Sequence, residues 1–327
     1  MSISASRLLS AFDHVSQPSR LAALESGAYS VKQLDDPHEF VYVGCSSDGE
    51  LALIVATTKS STPPAALRLV SLAADFGVVA RLAMNNVSNE VRVSILRCEA
   101  HEENLRLLFA SVCSTYLELL TAAPTEAEFS SYIARWLTLF WQLSQKASSD
   151  ISGLAGELSL ILASTERVRW VEAWHSDPNA LYDFSFPGTN RSVEVKSTRG
   201  HGRNHVVSLD QATGTQSSTC VFASVQLSFD ESGDTIGDMV REILDSLEQE
   251  PSRLKLWSVV VRTCGSSLDE MLSTRLNTEV ALKSIAFYAA SDIPKPVIMS
   301  PLPDGVSGVT FRSDFELAQP LASADPL

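Results

Sequence analysis

The chain has 327 residues, and domains usually run to roughly 100–200 residues, so two domains are the natural expectation. With 45% hydrophobic and 20% charged residues it can bury a sizeable core, which argues against a disordered chain. No run approaches the ~20 apolar residues of a membrane-spanning helix, and a net charge of −14 argues against a general nucleic-acid coat while leaving room for a local basic patch.

The opening stretch MSISASRLLSAFDHVSQ lacks the charged-then-apolar pattern of a secretory signal, so the cytoplasm is the expected location and no membrane partner is expected. Cys45, Cys98, Cys113, Cys220 and Cys264 are scattered, with no C-x2-C spacing. They read as isolated buried thiols.

Residues 1–100 read as an N-terminal mixed α/β region. A polar, helix-compatible start precedes the apolar runs Phe40–Val43, Leu51–Ala56, Val78–Met84 and Val91–Leu96, punctuated by the turn signals SSDG, STPP and NNVSN. A small sheet with one or two helices is expected. Residues 101–149 read as a helical connector. Leu105, Leu107, Leu108, Val112, Tyr116, Leu119 and Leu120 recur near helical spacing, and a second helix opens after Pro124 and carries Phe129, Ile133, Trp136, Leu137, Phe140, Trp141 and Leu143. Aromatics so placed are core far more often than a ligand box.

Residues 150–317 read as a third region, α then β-β-β, then β, α, β. A helix covers Gly153–Ala163. Strands follow at Tyr182–Phe186, Ser192–Thr198, Val206–Leu209 and Val221–Phe229, then a helix at Ile236–Leu247 opened by a capping box of Thr235 and Asp238. Trp257–Val261 is the next expected strand, with weaker ones at Leu282–Tyr288 and Val309–Phe311. Residues 318–327 read as a flexible tail.

The chemistry concentrates in LYDFSFPGTNRSVEVKST, residues 181–198. Strand side chains alternate faces, so Tyr182, Phe184 and Phe186 share one face and Asp183 takes the other. In the next strand Val193 and Val195 oppose Glu194 and Lys196. Pro187-Gly-Thr-Asn190 suits a hairpin loop. If Phe186 pairs with Arg191, Ser185 meets Ser192, Phe184 meets Val193 and Asp183 faces Glu194. Two carboxylates so placed repel unless something sits between them, and a divalent cation suits the gap. Lys196 projects beside them, where it can orient a water or neutralise charge on a phosphate.

Glu157 falls at the edge of the apolar stripe Leu154, Leu158, Ile161 and Leu162, and a half-buried carboxylate needs a partner. Arg191, Lys196, Arg199, His201, Arg203 and His205 form a basic run broken by Glu194 alone, suited to a phosphate backbone. Each feature also has a plain structural explanation. E-x-K on a strand is usually a solvated face, Asp183 could cap a turn, Glu157 could pair with Arg167 or Arg169, and the basic run could be surface charge. Their order and consistent faces together favour a phosphodiester site. His175, beside Trp170 and Trp174, reads as core packing rather than a ligand.

The order Glu157, Asp183, Glu194-Val-Lys196 resembles the PD-(D/E)XK nuclease superfamily. GLAGELSLIL, W-x3-W, YDFSF, VEVKST, VSLDQ and VFASVQLSFDESGDTIGDMVREIL resemble more narrowly a bacterial family of PD-(D/E)XK-motif proteins. That family was formerly labelled a domain of unknown function and is associated with phage-defence gene clusters. The resemblance is strongest over residues 150–250. It implies an α/β (α+β) restriction-endonuclease-like core, a mixed sheet flanked by helices, in the region 150–317. It implies Mg²⁺-dependent DNA hydrolysis, with Mn²⁺ as a substitute. Asp183, Glu194 and the Val195 carbonyl would be metal ligands. Glu157, Lys196 and Gln211 would complete the catalytic set. Arg191, Arg199, His201, Arg203 and His205 would contact DNA. Tyr182 stands where the motif has proline, and Ala212 where leucine is expected after Gln211. The implied partners are DNA, proteins of a defence complex and, for double-strand cutting, a second copy of the chain. The alternative is a non-catalytic or partner-dependent nucleic-acid-binding subunit.

Overall fold

The computed structural model describes residues 3–35, 37–84, 87–147, 150–177, 179–214, 219–297 and 302–321, with backbone alone at 82–84 and 87–88. The turn signal at Asn85-Asn86 and the tail beyond Leu321 lie outside the described residues. The chain forms two compact units, Met1–Gln145 and Lys146–Leu327.

The first unit opens with α1 (Ala5–Val15), capped by the Ser4 hydroxyl accepting from the Arg7 N–H, and a short α2 (Pro18–Leu21). Six strands follow: β1 (Tyr29–Gln33), β2 (Val41–Ser46), β3 (Leu51–Ala56), β4 (Leu67–Arg68), β5 (Leu72–Met84) and β6 (Val87–Cys98). They build one antiparallel sheet in the order β1-β2-β3-β6-β5-β4, larger than the apolar runs suggest, because β1 carries little alternation. Two helices belong to the same unit, α3 (Glu103–Leu119) and α4 (Glu126–Gln142), the latter opened by a Thr125–Glu128 capping box. Phe129, Trp136 and Phe140 are core, whereas Trp141 is 56% exposed. Register shifts in β5 at Asp75/Val78, where Gly77 has φ +63°. A Cβ there would stand 2.3 Å from Glu126 Oε1, a carboxylate buried against Arg92.

The second unit contains α5 (Ile151–Ala163), α6 (Arg167–Ala173), β7 (Phe184–Ser185), β8 (Arg191–Thr198), β9 (Asn204–Ser208), α7 (Leu209–Thr213), β10 (Thr219–Gln226), β11 (Asp234–Thr235), α8 (Ile236–Ser246), α9 (Glu250–Cys264), α10 (Leu268–Leu272), β12 (Arg275–Leu276), α11 (Thr278–Ser284), β13 (Ala286–Ala289) and β14 (Thr310–Asp314). The main sheet runs β13-β10-β8-β7. Strands β8 and β10 are parallel, and the outer pairs are antiparallel. Helices α5 and α11 pack on it, giving the expected mixed sheet flanked by helices. Strands β9 and β14 form a separate antiparallel pair. The Thr235–Asp238 capping box opens α8.

Several expected strands are corrected. Trp257–Val261 lies inside α9. Pro251 in its first turn is preset for a helix, and the buried run of Leu256, Trp257, Val259, Val260 and Val261 imitates a strand, the helical period showing only in the polar positions Lys255, Ser258 and Arg262. In the Leu282–Tyr288 segment, α11 runs to Ser284 and the strand begins at Ala286. The strand around Asp183 shrinks to Phe184–Ser185, and β10 ends at Gln226 rather than Phe229.

Candidate active site

The hairpin of β7 and β8 has the register its loop suggests. Ser185 pairs with Ser192 and Phe184 with Val193, and the Phe186 N–H donates to the Arg191 carbonyl at 3.1 Å. Tyr182, Phe184 and Phe186 are all buried; the two tryptophans of W-x3-W hold Phe184 and Phe186, whereas Tyr182 departs from their face and joins the core cluster of Val207, Phe222 and Tyr288. Trp170 meets Phe184 and Phe186 edge-on at 5.0 Å, and Trp174 stacks on Phe184 at 6.1 Å. Aromatic clamping of this kind fixes the strand that carries the acid.

Pairing stops at Phe184, so Asp183 leaves the ladder instead of continuing it. Its Oδ2 accepts the Val195 N–H at 2.7 Å. The N–H and C=O of one strand residue face the same edge, so the Val195 carbonyl opens toward Asp183 as well.

On the opposite face of β8 from Val193 and Val195 lies the charged pair. Lys196 Nζ donates to Glu194 Oε1 at 2.7 Å and to Gln211 Oε1 at 3.3 Å. Gln211 is held in turn by a capping box with Ser208 at the start of α7, and its Nε2 donates to the Leu181 carbonyl at 3.1 Å. Glu194 is buried, 6% exposed. Burial first and the Asp183 carboxylate second push its carboxyl up to about 7, against the pull of Lys196. Burial also raises Asp183, opposed by the Val195 N–H, by Lys196 and by a side-chain hydrogen bond with Glu194.

Glu157 reaches the same centre from α5. Gly156 lets the helix approach β8 so closely that a Cβ would stand 2.0 Å from Ser197 Oγ. Glu157 pairs with neither Arg167, which meets Glu242, nor Arg169, which meets Glu166. It accepts the Trp174 Nε1–H. Burial and then the Asp183 charge hold it well above the usual carboxylate range. His175 is half-buried, and its N–H donates to the Asp183 carbonyl at 2.8 Å. Hydrogen bonds thus join Glu194, Lys196 and Gln211, and Asp183 and Glu157 lie close enough to act on this cluster electrostatically.

The basic run divides. Arg191 and His201 are exposed, and Arg199 lies at the surface over Phe229. Two members are corrected. His205 is 3% exposed, with its Nε2 2.8 Å from Ser224 Oγ and its ring edge-on to Phe315. Arg203 spends its guanidinium on the Ser224 hydroxyl and carbonyl and on the Ser284 carbonyl. Both tie β9 to the sheet rather than facing a ligand. Two other cations escape a reading of α9 as strand. Lys255 Nζ donates to Ser176 Oγ at 2.9 Å, and Arg262 donates to the His175 carbonyl at 3.2 Å and acts electrostatically on Glu157. Their i, i+7 spacing would have exposed them, had the segment been read as a helix.

Among the described residues no three His, Cys, Asp or Glu side chains converge as a metal cage by themselves. A hard cation of the Mg²⁺ class needs less: one or two carboxylates, with waters and substrate oxygens completing its shell. Asp183 and Glu194 fit that demand, since Glu194 is buried, Asp183 half-buried beside it, and the Asp183 charge raises the cost of charging Glu194.

A mixed sheet flanked by helices, with an acid at the end of one strand and E-x-K on the next, defines a nuclease-like α/β protein of the PD-(D/E)XK type. Residues 11–316 match the family described as "Putative PD-(D/E)XK family member, (DUF4420)", and the chain belongs to that family. The match spans both units, so the first is part of the family's architecture. No curated protein and no solved structure matches the chain at a significant level.

Proposed function

We propose that the chain is a divalent-cation-dependent DNA endonuclease serving bacterial anti-phage defence. The observation that carries this reading is the half-buried Asp183 beside the buried Glu194, with Lys196 fixed between Glu194 and Gln211. Asp183, Glu194 and the Val195 carbonyl would hold the cation, which when bound supplies Lewis-acid polarisation of the phosphate and a more acidic water. Lys196 stands to orient the attacking water and to neutralise charge developing on the phosphate oxygens. Gln211 keeps Lys196 in place. Glu157, its carboxyl raised by burial, would hold a proton or a water on the α5 side.

Supercoiled plasmid incubated with the purified chain and Mg²⁺ or Mn²⁺ should be nicked, and EDTA or Glu194→Ala should abolish nicking. Intact plasmid under every metal condition would sink the autonomous enzyme. A second reading, a partner-dependent or non-catalytic nucleic-acid-binding subunit, draws on the Lys196–Glu194 ion pair, which engages both groups with each other. DNA binding that survives Asp183→Ala, with cleavage never seen, would favour it. The defence role rests on the sequence resemblance, and loss of plaque reduction in cells carrying Asp183→Ala is its test.

A further inference from the structure

Strands β8 and β10 run parallel with Thr198 beside Gln226 at their carboxyl ends. Ligands of open α/β sheets bind in the crevice outside such ends. Here the chain leaving β8 and the chain leaving β10 enclose a cleft of about 580 Å³ whose lining includes Arg199, His201, Gln226, Ser228, Phe229 and Val280. The Arg199 guanidinium lies 4.6 Å over the Phe229 ring. It is held from behind, its Nε donating to Ser152 Oγ at 3.0 Å and its Nη2 to Asp150 at 3.4 Å. The opposite wall is pinned as well, because Gln226 Nε2 donates to the His201 carbonyl and Arg203 anchors the returning loop to Ser224 and Ser284. The cleft walls are therefore hydrogen-bonded in the free chain, which lowers the ordering cost of binding.

Its chemistry is that of a nucleotide. A guanidinium stacked on an aromatic ring is a platform for an unpaired base, and Arg199 supplies charge, with His201 beside it as a hydrogen-bonding ring, for a phosphate. Its size is that of a small-molecule pocket, not of a groove that takes a duplex. It lies three residues along β8 from Lys196, about 10 Å of extended chain, or about one to two nucleotides of a substrate strand. We propose that this cleft holds one unpaired nucleotide of the substrate, its base on the Arg199–Phe229 platform, so that the preferred substrate is DNA with a single-stranded end or an unpaired position beside the cleaved bond. Phe229 is then a substrate-selecting residue. This inference rests on the nuclease reading and narrows its substrate.

Binding in EDTA separates the two. Fluorescein-labelled DNA of one sequence would be offered to the full chain as a blunt duplex and as a duplex with a single-stranded overhang, and affinity read by anisotropy. The overhang should bind about tenfold more tightly. Phe229→Ala should erase most of that preference while leaving blunt-duplex affinity alone, and Phe229→Tyr should keep it. A 2-aminopurine placed in the overhang should be quenched by the wild type and not by Phe229→Ala. Equal affinity for both DNAs, or a preference untouched by Phe229→Ala, would overturn the inference while leaving metal-dependent plasmid nicking intact. Failure to bind either DNA would overturn both.

Discussion

Glu194 sits between an acid that raises its pKa and a lysine that lowers it, and on the proposed reading the removal of Lys196 separates chemistry from binding. Lys196→Ala should lower kcat by about 10²–10³-fold, the usual cost of deleting one charge-stabilising donor, with DNA affinity in EDTA changed only slightly. A loss seen in affinity and not in kcat would make Lys196 a backbone contact instead. His205 shows how far charge counting can mislead. As one of several basic residues in a short run it reads as a DNA contact, yet it is buried, and nothing in the sequence distinguishes a ring against Phe315 from one in water. Burial first, then Lys196 and Arg203, push it down to about 4 from the usual 6.5. The unfolded chain therefore takes up the proton first. The stability owed to neutral His205 is full above about pH 6.5 and is lost as pH falls toward 4, at most about 3 kcal/mol. Urea unfolding at pH 7.5 and 4.5 should show a loss in the wild type about 2–3 kcal/mol larger than in His205→Gln; equal losses would contradict the assignment.

At the scale of elements, the hairpin of β7 and β8 was legible because period-two alternation and a Pro-Gly-Thr-Asn turn agree on one register. Its neighbour α9 was not, since Val259, Val260 and Val261 are β-branched and all buried, and periodicity cannot then separate helix from strand. The cluster itself was readable from spacing, whereas Asp183 bonding to the Val195 N–H was not, because the ladder's end is set by tertiary packing. Packing of α5 on β8 is the joint that places Glu157. Alanine usually gains roughly 1 kcal/mol over glycine inside a helix, but at Gly156 the new Cβ would stand 2.0 Å from Ser197 Oγ and 3.1 Å from Val195 Cγ1. Gly156→Ala should therefore destabilise by about 1–3 kcal/mol and lower activity by displacing Glu157. Ser197→Ala in the same chain should restore part of both. Thermal melts of the single and double variants test this, and a stabilised Gly156→Ala would refute the close approach.

At the scale of the molecule, residues 11–316 belong to one family although the motifs that betray it occupy the second unit alone. Limited proteolysis should cut first within residues 143–147, around the boundary of the two units, and leave two protected fragments; a first cut inside β5 or α5 would argue against that boundary. The five thiols supply a further consequence. Cys45, Cys98 and Cys113 lie in the first unit and Cys220 and Cys264 in the second, all free and all buried. Burial pushes Cys220 and Cys264 up to about 12 and raises Cys98 and Cys113 as well. A thiolate is the reactive form, so the native chain should resist maleimide and react only when a unit opens. Each unit thus carries its own chemical clock, and mass-resolved labelling rates would report whether the two halves open together or independently.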